Sequence, residues 1–581
     1  MSDRYDVLIV DARIVDGTGR AAFTGSIGIR GEKIAALGEI GGDAARVIDG
    51  SGLVACPGFV DPHSHADRSI LEVPLAENLV MQGITTFVGG NCGLSTAPVR
   101  GTDLRWKTFG QWLSRVEEGG LSVNYVPLVG HNAVREAVLG DGYRRRASES
   151  EIDEMRDLVD EAMASGAFGL SAGLDAAWPG HFASVEEIVT LAKVARQYGG
   201  LFAPHTRHHQ NQWPASHPEE FGYGIFHAPT GEAIVGRYHG LLEAIEIARK
   251  ADNIPLLIAH LTPAYIVPQP HPGFLDEALA RATLIDIIDK PRSEGMDVTY
   301  SVIAWSQSIA SEAPLMASFL DPSLLLPEWL KTLGKAEFAE KLKTRAFREK
   351  VRGFVYSGKF KMRMIHPLTD PYWMDCIQIV RCQNADHVGR TIGEIARERA
   401  PHSVIKAVYE ASIEAVFDIL VEDPDTTCAD FIDKREVGAL PTFLQHPAGM
   451  PCTDVEAYPA APPPMRGLYS RGISPTAYGL YPHYIRTFVK EQGILSLEGA
   501  IQKATSLPAQ EVLGLADRGV LRQGAYADIV VFDLRAIREG EDFLEPAQPP
   551  EGIEHVLVNG TVVYEDRAHT GRRPGRVLRR S

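Results

Sequence analysis

Eight short apolar runs recur along the middle of the chain, at residues 53–60, 85–88, 125–129, 167–170, 201–203, 255–259, 297–302 and 450–453. Short runs rich in apolar residues, with helices between them, are candidates for buried strands, and such strands belong to parallel sheets covered by helices. Two of the intervening helices can be read directly. Ser148-x-x-Glu151 is a capping box ahead of a stripe of Ile152, Met155, Leu158, Val159, Ala162 and Met163, which stops at Gly166. Ser184-x-x-Glu187 opens a second stripe through Ile188, Leu191, Ala192 and Ala195, ending at Gly199-Gly200. Eight βα units predict an α/β chain folded as a (β/α)8 TIM barrel. An open doubly wound sheet is the alternative, but the Gly-rich phosphate loop usual after its first strand is missing.

The two ends of the chain read differently. Residues 7–10, 26–29, 33–37 and 46–48 are short apolar runs separated by Gly and Asp turns, and 527–532 and 555–563 have the same character, the latter with an Asn559-Gly560 hairpin turn. Neither end has enough strands to bury its own face, so one small β-sandwich built from both termini is expected. The expected domains are residues 1–55 and 509–581 for the sandwich and 56–508 for the barrel. A basic stretch with Lys335, Lys341, Lys343, Arg345, Arg348, Lys350 and Arg352 fits no βα unit, and a solvated helical insertion is expected near 312–370.

Composition excludes several function classes. A net charge of −17 over 581 residues argues against nucleic acid or an anionic membrane as a partner. No apolar stretch approaches the roughly 18 residues of a membrane span, and no signal-peptide h-region is visible. Six cysteines without framework spacing read as reduced thiols. A cytoplasmic protein is expected, and self-association into a homo-oligomer stays open.

In a barrel, chemistry sits where strands end. The first run is followed by Asp61-Pro62-His63-Ser64-His65, whose two histidines would share one face of a continuing strand. The second ends at Asn91-Cys92-Gly93, the fifth at His205, the sixth at His260 and the eighth at Asp454. Taken singly, each has a plain structural reading: a small buried thiol, a hydrogen-bonded histidine, a capping carboxylate. Together, at five strand ends of one barrel, His63, His65, Cys92, His205 and His260 are read as metal ligands. A thiolate with two imidazoles suits Zn2+ and leaves a fourth position for water, whose pKa zinc lowers from about 15.7 to about 7. A nearby carboxylate can take that water's proton and pass it to a leaving amine, chemistry that hydrolyses C–N bonds.

These residues resemble a family. Asp61-Pro62-His63-Ser64-His65 and the β-rich ends resemble the amidohydrolase superfamily, and Gly90-Asn91-Cys92-Gly93 resembles its N-acyl-D-amino-acid deacylase (D-aminoacylase) group. In that group a cysteine takes the place of the carboxylated lysine on strand four. Residues 166–174 accordingly hold no lysine. Gly130-His131-Asn132 and residues 476–482 are similar to family segments as well. The resemblance implies that Cys92, His205 and His260 hold one tight zinc, that His63 and His65 serve a second, weaker ion or flank the first, and that Asp454 is the catalytic base and acid. It implies a small-molecule amide substrate.

Three departures concern that substrate. Family members follow the strand-six histidine with His-Lys, where this chain has Leu261-Thr262; a Tyr-Pro-Tyr segment aligns with Ile303-Ala304-Trp305, and a His-Pro-Arg segment with Ser474-Pro475-Thr476. Thr262, Trp305 and Thr476 therefore stand where carboxylate contacts are expected, and threonine cannot reproduce a bidentate arginine. A neutral or aromatic amide is expected, with Trp305 as an apolar wall and Arg207 and His208 as further rim contacts. A true N-acyl-D-amino acid deacylase, a hydrolase of cyclic amides (hydantoin, imide or lactam) or a deaminase on the same scaffold are the alternatives, and a relict barrel that only binds is the alternative outside catalysis.

Overall fold

The computed structural model describes residues 4–99, 106–175, 178–207, 226–227, 233–234, 237–261, 274–305, 312–316, 327–355, 373–399, 405–430, 439–461, 473–540 and 547–580. Eight parallel strand positions run Phe59–Asp61, Ile84–Gly89, Asn124–Pro127 with Val129–Gly130, Gly169–Gly173, Leu201–His205, Leu256–Ile258, Val298–Ile303 and Gly449–Cys452. The third is interrupted at Leu128, whose N–H donates to Gly89 O at 2.9 Å. The seam between last and first strands is bridged by side chains. Asp61 accepts from the N–H and hydroxyl of Thr453, and the Tyr481 hydroxyl lies within 3.2 Å of Val60 O and 3.3 Å of Pro451 O. The expected (β/α)8 barrel is thus the observed one.

The helices start where the sequence predicts. Ser148 and Glu151 form a reciprocal capping box on Glu149–Ala164. Ser184 caps Val185–Gln197, but the Glu187 carboxylate turns inward to His131 and Arg135 instead of returning to the cap. Met155, Val159, Ile188 and Leu191 join the main core.

The run at 53–60 is not one strand. Val54–Pro57 pairs with Ile529–Phe532 in the terminal sheet, and only Phe59–Asp61 enters the barrel. Gly58 is the joint: its N–H donates to Asp528 O at 2.8 Å, and a Cβ there would stand 2.1 Å from Thr85 Oγ1. The boundary expected at 55/56 therefore falls inside a strand, and that at 508/509 inside the turn of helix Leu507–Val512. Both termini do build one nine-stranded sheet. Tyr5–Ile14 pairs with Ala44–Asp49 along its first half and with Val54–Pro57 along its second, so the sheet divides and folds over a core that includes Ile9, Ile27, Ile29, Ile529 and Leu557. Asn559 and Gly560 take φ of +46° and +77° at the turn joining Ile553–Val558 to Thr561–Glu565, the left-handed pair that an Asn-Gly hairpin supplies.

A buried polar knot fastens this sheet to the barrel. Asp528 accepts from Arg518 and from the Asn559 N–H at 2.7 Å, and lies 3.4 Å from Asn124 Nδ2 on the third barrel strand. The side chains of Arg518 and Asp528 are 4% and 5% exposed, so Asp528→Ala is expected to leave an uncompensated buried cation at a cost of about 3–5 kcal/mol. A clearly lowered denaturation midpoint checks this; an unchanged one contradicts it.

The insertion is larger than expected and is not merely a solvated helical face. Helices Lys335–Leu342, Arg345–Val355, Ile392–Arg399 and Ile405–Glu422 pack with an antiparallel sheet of Glu312–Pro314, Ile377–Arg381 and Thr427–Asp430. Together they enclose their own apolar core of Leu315, Phe338, Leu342, Trp373, Ile379, Val416 and Phe417. The basic residues are the outer side of amphipathic helices, paired in part with Glu414 and Asp418. Cys56, Cys92, Cys382 and Cys452 are free thiols, and among the described residues no helix is long and apolar enough to cross a membrane.

Candidate metal centre

Each candidate side chain leaves the barrel at or just past a strand end. His205 is the last residue of Leu201–His205; Cys92 lies in the turn Asn91–Gly93, two residues before which its strand ends; His260 and Asp454 stand two residues past theirs. Cys92, His260 and Asp454 all have left-handed backbones, with φ of +52°, +32° and +59°. A side-chain-bearing residue pays of order 1–3 kcal/mol for such a conformation, and the surrounding contacts must hold it. The His260 N–H donates to Ser301 Oγ at 2.8 Å, the Asp454 N–H to His63 O at 2.9 Å, and the Gly93 N–H to Ser171 Oγ at 3.0 Å. Asn91 Nδ2 donates to Val88 O at 2.9 Å and Ser64 O at 3.2 Å. These sharp turns aim the side chains toward one another.

His63 and His65 do not share a strand face as expected, because the strand stops at Asp61. Asp61 Oδ1 instead accepts the His63 N–H at 3.2 Å and turns the chain. The two rings stand 5.6 Å apart and nearly perpendicular, yet each brings Nε2 to 3.1 Å from Asp454 Oδ1.

Two groups of side chains that could hold a metal ion result, His63, His65, Cys92 and Asp454, and Cys92, His205 and His260, each with its donor atoms within 4.8 Å of one another. Cys92 belongs to both. Its Sγ lies 3.4 Å from His63 Nε2, 3.6 Å from His205 Nδ1 and 3.5 Å from His260 Nε2. A tetrahedral zinc with Zn–S near 2.3 Å and Zn–N near 2.0–2.1 Å places sulfur and nitrogen about 3.5 Å apart, so the donor spacing fits that ion. His63, Cys92, His205 and His260 are all buried, whereas the Asp454 side chain is 27% exposed.

Burial, with the Asp454 charge beside it, pushes the Cys92 thiol well above its ordinary range. Burial pulls His63 down. It also opposes ionisation of Asp454, but His63 and His65 outweigh it and hold that carboxyl well below the usual carboxylate range. His65 is driven the other way: burial lowers it, and Asp454 raises it further. A divalent ion reverses the thiol's preference by stabilising the thiolate.

From the sequence, Asp175, just after strand four, reads either as a second carboxylate of the site or as loop structure. It is buried behind His205, with Oδ2 at 3.4 Å from Nε2. What the sequence does not carry is its neighbour: pairing of strands four and five sets Gly173 beside His205 and so brings Asp175 to that ring. Asn132, in the Gly130-His131-Asn132 segment, brings Nδ2 to 3.4 Å from Cys92 O.

The expected substrate contacts fare differently. Trp305 is 5% exposed and lies flat on His483 with ring centroids 4.2 Å apart, so the ring face expected to form an open apolar wall is already covered. Arg207 is buried, paired with Glu243 at 2.8 Å and donating to His181 O at 2.7 Å; its guanidinium serves the fold where a rim contact was expected. Thr476 is buried at the start of Thr476–Tyr484, its hydroxyl 2.9 Å from Ser474 Oγ. Thr262 and His208 lie outside the described residues.

Comparison with known proteins bears on the fold as a whole. The amidohydrolase family model matches residues 46–201 and 462–564. D-aminoacylase of Alcaligenes xylosoxydans xylosoxydans is 28% identical over 594 residues, covering 100% of this chain and 99% of the relative. The crystal structure of N-acyl-D-glutamate deacylase from Bordetella bronchiseptica, complexed with zinc and a phosphonate inhibitor, superposes with a TM-score of 0.67 at 25% identity, covering 99% of this chain and 100% of that one. D-hydantoinase shares the fold alone, at 14% identity and a TM-score of 0.51 over 99% of this chain and 98% of that one. The amidohydrolase family model thus matches the first and last parts of the barrel-bearing chain, and D-aminoacylase is similar to it from end to end.

Proposed function

We propose that this protein is a zinc-dependent hydrolase of C–N amide bonds, with Cys92, His205 and His260 as the tight zinc ligands. His63 and His65, with Asp454, border a weaker second site. The observation that carries this reading is the Cys92 sulfur, set 3.4–3.6 Å from three imidazole nitrogens at the C-terminal end of a barrel. Zinc ions bound to the deacylase of known structure and the full-length similarity to D-aminoacylase support it.

The chemistry divides among few groups. Bound between a thiolate and imidazoles, zinc supplies Lewis acidity toward a carbonyl and makes water acidic near neutral pH. Asp454 is the member of the cluster most open to solvent. Ionised by its two histidine neighbours, it accepts a proton from the attacking water and delivers it to the amine nitrogen as the C–N bond breaks.

For the substrate, we infer a neutral or aromatic amide rather than one bearing a free α-carboxylate. Thr262, Trp305 and Thr476 stand at the positions of the expected anion contacts, and Arg207 is neutralised by Glu243. A charged hydrogen bond is worth ~1.5–3 kcal/mol, so losing even one lowers carboxylate recognition by roughly 10–100-fold. Comparing kcat/KM for N-acetyl-D-methionine and N-acetyl-D-glutamate with that for neutral amides of the same acyl group tests this. Faster turnover of the neutral series is expected; rapid hydrolysis of the acids with weak activity on the amides overturns the assignment.

A further inference from the structure

The imidazoles at the centre do not present the same nitrogen. His63, His65 and His260 turn Nε2 inward. His205 turns Nδ1 inward, 3.6 Å from Cys92 Sγ and 3.0 Å from His260 Nε2. Its Nε2 therefore faces away from the centre, toward Asp175 Oδ2 at 3.4 Å. Both side chains are 2% exposed. The loop carrying Asp175 is fixed to the same strand, because the Leu174 N–H donates to His205 O at 3.0 Å. Trp178 sets its ring edge-on against the His205 imidazole, with centroids 4.8 Å apart. Among the described residues, by contrast, His63 Nδ1 and His65 Nδ1 have no hydrogen-bond partner.

A neutral imidazole carries one ring proton. To offer the Nδ1 lone pair to a cation, His205 must keep that proton on Nε2, and a carboxylate is the strongest acceptor available to a ring N–H. We propose that Asp175 is a positioning residue for the zinc centre: it holds His205 in the Nε2–H tautomer, fixes the ring plane and makes Nδ1 a better donor. This rests on the reading of Cys92, His205 and His260 as the tight zinc site. Asp175 touches neither substrate nor water in this role.

The test uses the full-length, zinc-loaded protein and the variants Asp175→Asn and Asp175→Ala, titrated with a chelator of known zinc affinity. Asp175→Ala is expected to bind zinc roughly 10–100-fold more weakly than the unaltered protein. Asp175→Asn is expected to fall between, since its amide oxygen still accepts the Nε2–H but carries no charge. The cobalt-substituted proteins supply a second readout, and a shifted thiolate-to-cobalt absorption band is expected in both variants. Matching melting curves of the zinc-free proteins separate a ligand-positioning role from general damage; if Asp175→Ala does not fold, Asp175→Asn decides. Unchanged zinc affinity and an unchanged cobalt spectrum in Asp175→Asn and Asp175→Ala overturn the proposal. If the unaltered protein itself holds no zinc, the reading of the centre fails, and the positioning role with it.

Discussion

Cys92→Ala is expected to empty the tight zinc site and abolish hydrolysis, a loss well beyond the roughly 10–100-fold that changes behind a ligand produce. Cys92 is the member common to both ligand groups. Removing its sulfur leaves His205 and His260 as neutral donors with no anion between them, and detaches His63 from the same point. The backbone of residue 92 already sits at φ +52°, a conformation alanine tolerates no better than cysteine. The variant therefore isolates the thiol rather than the turn. Zinc content after dialysis and kcat/KM measured on one preparation check it. A variant that keeps stoichiometric zinc and most of its activity contradicts the assignment.

Much of this centre can be read in the sequence because a barrel ties function to strand ends, and strand ends are visible as the polar residues that follow apolar runs. Cys92, His205, His260 and Asp454 were each found that way, in four runs separated by up to 362 positions, the span from residue 92 to 454. What hydrophobic patterning does not carry is where one strand stops serving one sheet and starts serving another. The run at 53–60 is apolar on both sides of Pro57-Gly58, and the strand changes sheets there, where Gly58 approaches Thr85 and donates to Asp528 O. For the same reason His63 and His65 were placed on a strand face, though Asp61 ends the strand before them. Partners across the barrel are equally silent. Glu187 looks like a capping residue and instead meets His131 and Arg135; Arg207 looks like a rim cation and is paired with Glu243. Asp175 becomes meaningful only when strands four and five are set side by side. The insertion was underestimated because its charged outer faces dominate the composition of a segment whose apolar positions pack against one another.

Asp454→Asn is expected to lower kcat by about 10²–10⁴, the usual worth of a general acid–base group, while leaving the tight zinc in place. The geometry separates the two effects: Asp454 belongs to the group with His63 and His65 and not to that of Cys92, His205 and His260. Asparagine keeps the size and the contacts to the two rings but cannot take a proton. KM should change far less than kcat, the sign of a group that acts in the transition state and not in binding. A kcat within a few-fold of the unaltered enzyme, with zinc retained, removes Asp454 from the proton-transfer role.

The central claim is that one sulfur and imidazole nitrogens hold the ion. X-ray absorption of the zinc-reconstituted protein tests it most directly. One Zn–S distance near 2.3 Å with nitrogen ligands near 2.0–2.1 Å is the predicted shell, and the sulfur contribution should vanish in Cys92→Ala. A shell of nitrogen and oxygen alone in the unaltered protein contradicts the account.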